Sequence, residues 1–327
     1  MLESIPQEKQ PAVEKALRSA FGTAEVYFVE ELTRGLSSAR IFRIQSLDKD
    51  WLLRVIVRDD PMANPEFHFS CMRTAADAGL APPILYEDID DRILITGFIT
   101  PSTFPDDMAA RMADVLRTLH SLPARHRIDY MKVMDGAVQR LPKLFPSEQT
   151  DEIIRGYQRA YDCPRDERDL VACHNDLKPD NVLFDGSRIW LVDWEAAFAN
   201  DRYTELAVVA NFWLKDGEEQ EQSFLSRYFG EEPGAVRTAR FFVMRQIMSC
   251  IYGAYFLFLA TQAGLNPSWQ DNSETFESFH RKLVSFEVYL LDANMQMQYG
   301  LLHLKRALEQ MRAPRFRAAI DLLHGES

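Results

Sequence analysis

The sequence predicts an α+β protein of two lobes, a small N-terminal antiparallel sheet with one helix and a larger, mostly helical C-terminal lobe. Three observations predict it. Up to Ile99, short β-branched and aromatic runs alternate with turn residues. After Pro101, apolar residues recur at helical spacing, interrupted by one strand-like stretch around Val171 to Asp193. With 327 residues, 46% of them hydrophobic, the chain is long enough to bury a sizeable shared core. The change of character between Ile99 and Ser102 sets the boundary, giving residues 1–99 and 100–327.

The elements follow in order. Val13 to Phe21 has the spacing of a short amphipathic helix. "AEVYFVEEL", "ARIFRIQSL" and "DWLLRVIVR" read as strands, with Gly35 and "DKD" supplying the turns between them. "FHFSCMRTAADAG" is a helix stopped by Gly79 and then by Pro82 and Pro83. "PILYEDID" and "DRILITGFI" complete five strands. "DDMAARMADVLRTLHSLP" is a strong helix, a second runs around Gln149 to Tyr161, and the chain from Thr204 onward is almost wholly helical.

Composition narrows the partners. A net charge of −12 argues against a general nucleic-acid binder, which needs a concentrated basic face. It is compatible with a cationic small molecule, but many cytosolic proteins are acidic simply for solubility, which is the favoured reading. The four cysteines, Cys71, Cys163, Cys173 and Cys250, show no metal-ligand spacing and read as reduced structural thiols of a cytoplasmic protein. The first residues lack an apolar signal core. The run from Ile247 to Gly264 is near bilayer length, but Ser249, Tyr252, Tyr255, Thr261 and Gln262 within it predict a buried core helix and no membrane partner.

The segment "VACHNDLKPDNVLFDGSRIWLVDWEAA", Val171 to Ala197, carries the chemistry. "NVLF" and "RIWLVD" are two short strands joined at Asp185-Gly186, a strong hairpin signal. A tight turn brings the outer ends together, so Asn181 and Asp193 come close. One amide oxygen and one carboxylate, completed by phosphate oxygens and water, suit Mg²⁺ beside a nucleotide. Asp176, five residues before Asn181 in a loop with Pro179, can face the same spot and accept a proton from an attacking hydroxyl.

"HNDLKPDN" followed by "LVDWE" resembles the catalytic loop and metal-binding segment of the aminoglycoside phosphotransferase and choline kinase superfamily. These are small-molecule kinases with a protein-kinase-like fold. "TRGLSSARIFRI" is similar to their nucleotide loop, "WLLRV" to their third strand, "ADAGLAPPILY" to the end of their N-lobe helix, and "LRTLHSLP" to their helix after the hinge. These pieces cover residues 30 to 215. The resemblance implies ATP and Mg²⁺ as cofactors, Asp176 as catalytic base, and Asn181 and Asp193 as metal ligands. It implies a positioning mechanism for phosphoryl transfer. His174 braces the loop, and Lys178 either reaches the transferred phosphate or lies solvated.

At the nucleotide end, Arg54 is the one basic residue of the apolar run "WLLRV". The resemblance places it on phosphates, which a guanidinium can bind through two hydrogen bonds. Gly35, Ser37 and Ser38 can offer backbone N–H and hydroxyl groups to phosphates. Glu66 is the nearest candidate to anchor Arg54, or else a first-turn acid favouring its helix dipole. Ile95, Thr96, Gly97 and Phe98 should form the hinge, whose backbone reads the base.

At the acceptor end, Glu195, Asn200 and Asp201 fit the family pattern, whereas Glu205 replaces an Asp that normally supports the catalytic loop. The "W-E" and "N-D" pairs resemble choline and ethanolamine kinase-like proteins. Phe212, Trp213, Tyr252, Tyr255 and Phe256 with Asp216, Glu218 and Glu219 can form a cation–π cage for an amine, or simply core and a solvated loop. The expected activity is transfer of the γ-phosphate of ATP to a hydroxyl of a small, amine-bearing molecule. Two other readings are weighed, an atypical protein kinase and a catalytically silent nucleotide-binding scaffold. Trp194-Glu195 after Asp193, rather than Phe-Gly, and the missing Ala-Pro-Glu segment argue against the first. Retention of Asp176, Asn181 and Asp193 argues against the second.

Overall fold

Five strands, β1 (Phe28–Glu31), β2 (Ala39–Ser46), β3 (Lys49–Ile56), β4 (Ile84–Asp88) and β5 (Ile93–Gly97), form an antiparallel sheet in the order β1-β2-β3-β5-β4. The computed structural model describes residues 2–32, 39–57, 64–124, 128, 130–270 and 274–325. Alternation along each strand divides the sheet into two faces. Phe42, Ile44, Leu53, Val55, Ile93 and Ile95 meet Val13, Ala16 and Leu17 of helix α1 (Gln10–Phe21). Ile56 and Leu94, on the opposite face, meet Phe69 of helix α2 (Pro65–Asp77). Burying a side chain such as Phe42 or Leu53 fully contributes about 2 kcal/mol, so each helix clamps its face by packing rather than by propensity. Arg54 alternates with Leu53 and Val55 and is therefore placed on the α2 face.

The sheet, α1 and α2 belong to one compact unit, Met1–Phe104 together with His174–Ala197. The second unit is Pro105–Cys173 together with Phe198–Ser327. It contains α3 (Met108–Leu119), α4 (Tyr130–Val138), α5 (Leu141–Leu144) and α6 (Glu148–Tyr161). Next come α7 (Arg202–Trp213), α8 (Glu218–Phe229), α9 (Gly234–Gln262), α10 (Phe276–Val284), α11 (Ala293–Arg312) and α12 (Pro314–Gly325). A two-stranded ladder pairs β6 (Leu170–Cys173) with β9 (Phe198–Asp201), with Leu170 opposite Asp201 and Cys173 opposite Phe198. The hairpin β7 (Val182–Phe184) and β8 (Ile189–Leu191) lies in the first unit.

Helix α9 is the axis of the second unit, packed by α4, α6, α7, α11 and α12. It is long and apolar enough to cross a membrane by length and composition, yet 72% of its most apolar window is buried in the fold. That burial is the signature of a core helix. Its approach to α11 requires glycine: a Cβ on Gly300 would lie 3.0 Å from the Gly253 carbonyl oxygen and 3.1 Å from the Leu257 nitrogen. The sequence reading missed α4, α5 and β9. Gly136 inside α4 and Pro142 inside α5 weaken the local helical signal, and tertiary packing overrides it.

Candidate active site

The geometry begins with the β7–β8 hairpin. Asp185 Oδ1 accepts hydrogen bonds from the Ser187 N–H, the Ser187 hydroxyl and the Arg188 N–H, each at 2.8 Å. Gly186 takes φ +97°, which its lack of a Cβ permits. Asp185 Oδ2 accepts from Trp190 Nε1 at 2.7 Å. Four donors on one carboxylate hold Asp185 well below the usual carboxylate range, the Arg188 N–H contributing most. The turn therefore fixes the register. At the open end the Val192 N–H donates to the Asn181 carbonyl at 3.0 Å, so Asn181 and Asp193 stand one residue apart across the pair. The hairpin is also tied to the end of α2, because the Leu191 N–H donates to the Leu80 carbonyl at 2.7 Å.

Asp193 adopts the left-handed conformation, φ +66°, before a short 3-10 helix Trp194–Ala196. That backbone costs a β-carbon-bearing residue of order 1 kcal/mol or more and persists only where its surroundings impose it. Two contacts impose it here. Trp194 is buried and its Nε1 donates to the Leu191 carbonyl at 3.1 Å. Arg54 Nη2 donates to Asp193 Oδ1 at 2.7 Å. Burial alone would raise the Asp193 carboxyl, but Arg54 first, then Lys178, hold it below its ordinary value.

Asn181 is buried, and its Nδ2 donates to both the Asp176 carbonyl, at 2.9 Å, and Asp176 Oδ2, at 2.7 Å. Reversing the amide would set oxygen against two oxygens, so its orientation is determined. Oδ1 is thereby kept as the acceptor end of the group, directed away from Asp176. Lys178 Nζ donates to the same Asp176 Oδ2 at 2.8 Å. Desolvation pulls the Lys178 ammonium down, but Asp176, then Asp193 and Asp180, outweigh it and raise it. His174 is wholly buried. Its Nε2 must be the donor to the Val192 carbonyl, at 2.9 Å, which leaves Nδ1 to accept the Asp176 N–H at 3.4 Å. The ring lies 4.7 Å from that of Trp194. Asn175 Nδ2 donates to the Ala196 carbonyl at 3.0 Å, closing the segment on itself.

The structure thus brings Asp176, Lys178, Asn181, Asp193 and Arg54 together. Asn181 Oδ1 and the Asp193 carboxylate are hard oxygen donors of the type Mg²⁺ takes, so the residues present fit that ion. Thr96 is buried in β5 opposite Leu52, and Phe98 follows just beyond with the Arg43 guanidinium 4.9 Å over its ring. Gly35, Ser37 and Ser38 lie outside the described residues. Glu66 does not anchor Arg54: it is exposed in the first turn of α2, where the Asn64 side chain caps its N–H, and Arg54 turns to Asp193.

In the second unit the sequence reading missed His120. It ends α3, where the pattern marks only a helix, and is 8% exposed. Its Nε2 meets Glu205 Oε2 at 2.9 Å and its Nδ1 meets the Tyr228 hydroxyl at 2.7 Å. Arg202 Nη1 donates to that hydroxyl at 3.3 Å. Glu205 is 2% exposed, and its extra methylene relative to Asp carries the carboxylate to this histidine.

The aromatic residues weighed for a cage divide. Phe212, Tyr252 and Phe256 join a ring cluster with Phe276, His280, Tyr299 and His303, while Tyr255 is 40% exposed. Asp216 is held by Arg245 at 2.8 Å and Arg306 at 2.5 Å, and Glu218 by Arg315 at 3.7 Å. Arg306 itself lies 4.5 Å over Phe276. Asp216 therefore faces internal arginines, Glu218 is largely exposed, and the ring cluster already hosts a cation of its own.

Comparison with known proteins bears on the family and the fold. No curated protein matches the sequence. The chain is similar to the structure of a choline/ethanolamine kinase family protein from Mesorhizobium loti, with TM-score 0.66 and 20% identity, over 96% of this chain and 99% of that one. It is similar to choline kinase LicA from Streptococcus pneumoniae, with TM-score 0.56 and 16% identity, over 93% and 99%. It is also similar to a spectinomycin phosphotransferase in complex with ADP and spectinomycin, with TM-score 0.57 and 15% identity, over 92% and 98%. These likenesses give the fold, the α+β protein-kinase-like architecture. A family model described as the phosphotransferase enzyme family matches residues 29–240. On that match, the chain belongs to the phosphotransferase enzyme family.

Proposed function

We propose that the protein transfers the γ-phosphate of ATP to a hydroxyl group of a small, amine-bearing molecule in the cytoplasm, with Mg²⁺ as cofactor. The observation that carries this reading is the grouping of Asp176, Asn181, Asp193 and Arg54 on one hairpin and the facing strand. Asn181 and Asp193 would hold Mg²⁺, which when bound neutralises charge on the phosphate oxygens. Arg54, with Gly35, Ser37 and Ser38, binds phosphates, and Lys178 neutralises the group in transit. Thr96 and Phe98 mark the strand end that receives the base. Residues 1–99 form the nucleotide lobe, and residues 100–327 supply the catalytic loop and the acceptor pocket.

Asp176 takes the proton from the acceptor hydroxyl as its oxygen attacks phosphorus. The Asn181 amide and the Lys178 ammonium, both on Oδ2, hold the carboxylate in place and direct Oδ1 to that task. The amine class of acceptor is supported by the choline kinase and spectinomycin phosphotransferase among similar structures. The decisive experiment supplies Mg·ATP with a panel of amino alcohols, aminoglycosides and peptides and follows ADP release. Stimulation by an amino alcohol or aminoglycoside supports the reading. Stimulation by peptides alone makes the protein a protein kinase, and nucleotide binding without any turnover makes it a scaffold.

A further inference from the structure

Three side chains meet inside the second unit from places that no sequence motif links. His120 ends α3, Cys173 is the last residue of β6, and Glu205 lies in the first turn of α7. The thiol and the carboxylate are 53 and 85 positions from His120 along the chain. Yet an imidazole nitrogen, the thiol sulfur and a carboxylate oxygen all lie within 4.8 Å of one another, and all three residues are buried. His120 Nε2 stands 3.8 Å from Cys173 Sγ and 2.9 Å from Glu205 Oε2. Tetrahedral Zn²⁺, with bonds of about 2.0–2.3 Å, sets neighbouring ligand atoms about 3.3–3.6 Å apart, so shifts of about 1 Å bring this set onto one ion.

The donor set selects the ion. Thiolate and imidazole favour Zn²⁺, whereas Mg²⁺ and Ca²⁺ take oxygen. A thiolate and a carboxylate together carry two negative charges, which a divalent cation neutralises where an unpaired charge is costly. A metal-bound imidazole also needs a partner for its other nitrogen. The Tyr228 hydroxyl, 2.7 Å from His120 Nδ1, can accept that proton, and Arg202 Nη1 holds the hydroxyl at 3.3 Å. As a thiol, Cys173 donates to the Asn200 carbonyl at 3.7 Å, a weak contact to exchange for a metal bond.

We propose that His120 Nε2, Cys173 Sγ and a Glu205 carboxylate oxygen form a Zn²⁺ site that ties α3, β6 and α7 together, with a water in the fourth position. On binding, the Cys173 thiol releases one proton to solvent, the imidazole keeps its proton on Nδ1, and nothing is oxidised or reduced. The residues are other than Asn181 and Asp193, whose oxygens suit Mg²⁺, and occupation of the site does not depend on phosphate transfer.

The test dialyses the chelator-treated full chain against Zn²⁺ or Co²⁺ in excess Mg²⁺ and reads metal content, the thiolate-to-cobalt charge-transfer band and Tm. Wild type is expected to take up about one Zn²⁺ per chain, to show the band with Co²⁺, and to melt several degrees higher with Zn²⁺ than without it. Cys173→Ser, Cys173→Ala and Glu205→Gln should each weaken Zn²⁺ binding about tenfold or more. Cys163→Ser is the control, because the Cys163 thiol lies 3.9 Å from His324 Nε2, and it should bind like wild type. Wild type that takes up no Zn²⁺ overturns the site, as does uptake that both Cys173 variants leave unchanged. A cobalt band lost in Cys163→Ser places the ion at Cys163 and His324 and overturns it equally.

Discussion

Asn181 donates its side-chain amide to Asp176 Oδ2 over 2.7 Å, so the residue proposed for the metal also orients the residue proposed as base. Lys178 reaches the same oxygen at 2.8 Å, leaving Oδ1 as the outward atom. Asp176→Asn should lower kcat by about 10²–10⁴-fold, the usual contribution of a general base, with Kd for Mg·ATP changed by less than about twofold. Steady-state kinetics and calorimetry on the same preparation check both halves, and near-wild-type turnover would remove Asp176 from the mechanism.

Arg54 and Asp193 form a half-buried pair, with side chains 13% and 17% exposed. Arg54→Met strands a desolvated carboxylate and should cost about 3 kcal/mol of stability at pH 7. Because Arg54 helps hold Asp193 below its unfolded value, the pair's contribution is present above the ordinary carboxylate range and fades as pH falls through the folded value. Urea melts at pH 7 and near pH 3 should therefore show the gap between wild type and variant closing. A gap of equal size at both pH values would contradict the pairing.

Asp201 caps α7 by accepting the Tyr203 N–H at 2.9 Å, and burial, the dominant influence, pushes its carboxyl up to about 6. A carboxyl raised on folding binds more protons in the folded state, so its contribution to stability falls as pH rises from about 4 to about 6. Asp201→Asn keeps the capping oxygen and removes the charge. It should raise stability by about 3 kcal/mol at pH 7.5 and leave it nearly unchanged near pH 4. Thermal melts at the two pH values decide.

His120→Ala removes a buried partner of Glu205 and of Tyr228 and should cost about 3 kcal/mol. His120→Gln retains one side-chain donor and should recover part of that loss. Chemical denaturation of the three proteins measures it, and a loss below about 0.5 kcal/mol would show that the network is not required.

Gly300→Ala should overpack the α9–α11 crossing, because its Cβ meets the backbone of Gly253 and Leu257 as well as the Leu257 side chain. The expected cost is about 1–3 kcal/mol, read from the denaturation midpoint.

How much was legible in the sequence depended on whether the signal was local. The five strands, α1, α2 and the turn at Asp185-Gly186 carry their own periodicity and turn residues, and all appear where expected. The convergence of Asn181 and Asp193 was readable because a two-strand hairpin has one possible closure. The sequence points to Arg54 but not to its partner in the structure: Glu66 is near along the chain, whereas the ion pair spans 139 positions to Asp193. His120 left no trace, since one polar residue ending an amphipathic helix looks solvated until Glu205 and Tyr228 surround it. Asp216 looks available to a ligand because nothing in the sequence says that Arg245 and Arg306 will converge on it.

Helix α9 also bears on how the protein is made. Its covering helices α11 and α12 are translated after it, beginning at Ala293, so a nascent chain displays a long apolar surface before the residues that shield it exist. Synthesis halted near residue 290 would yield a product prone to aggregate and to engage chaperones, even though every residue proposed for chemistry had already been made.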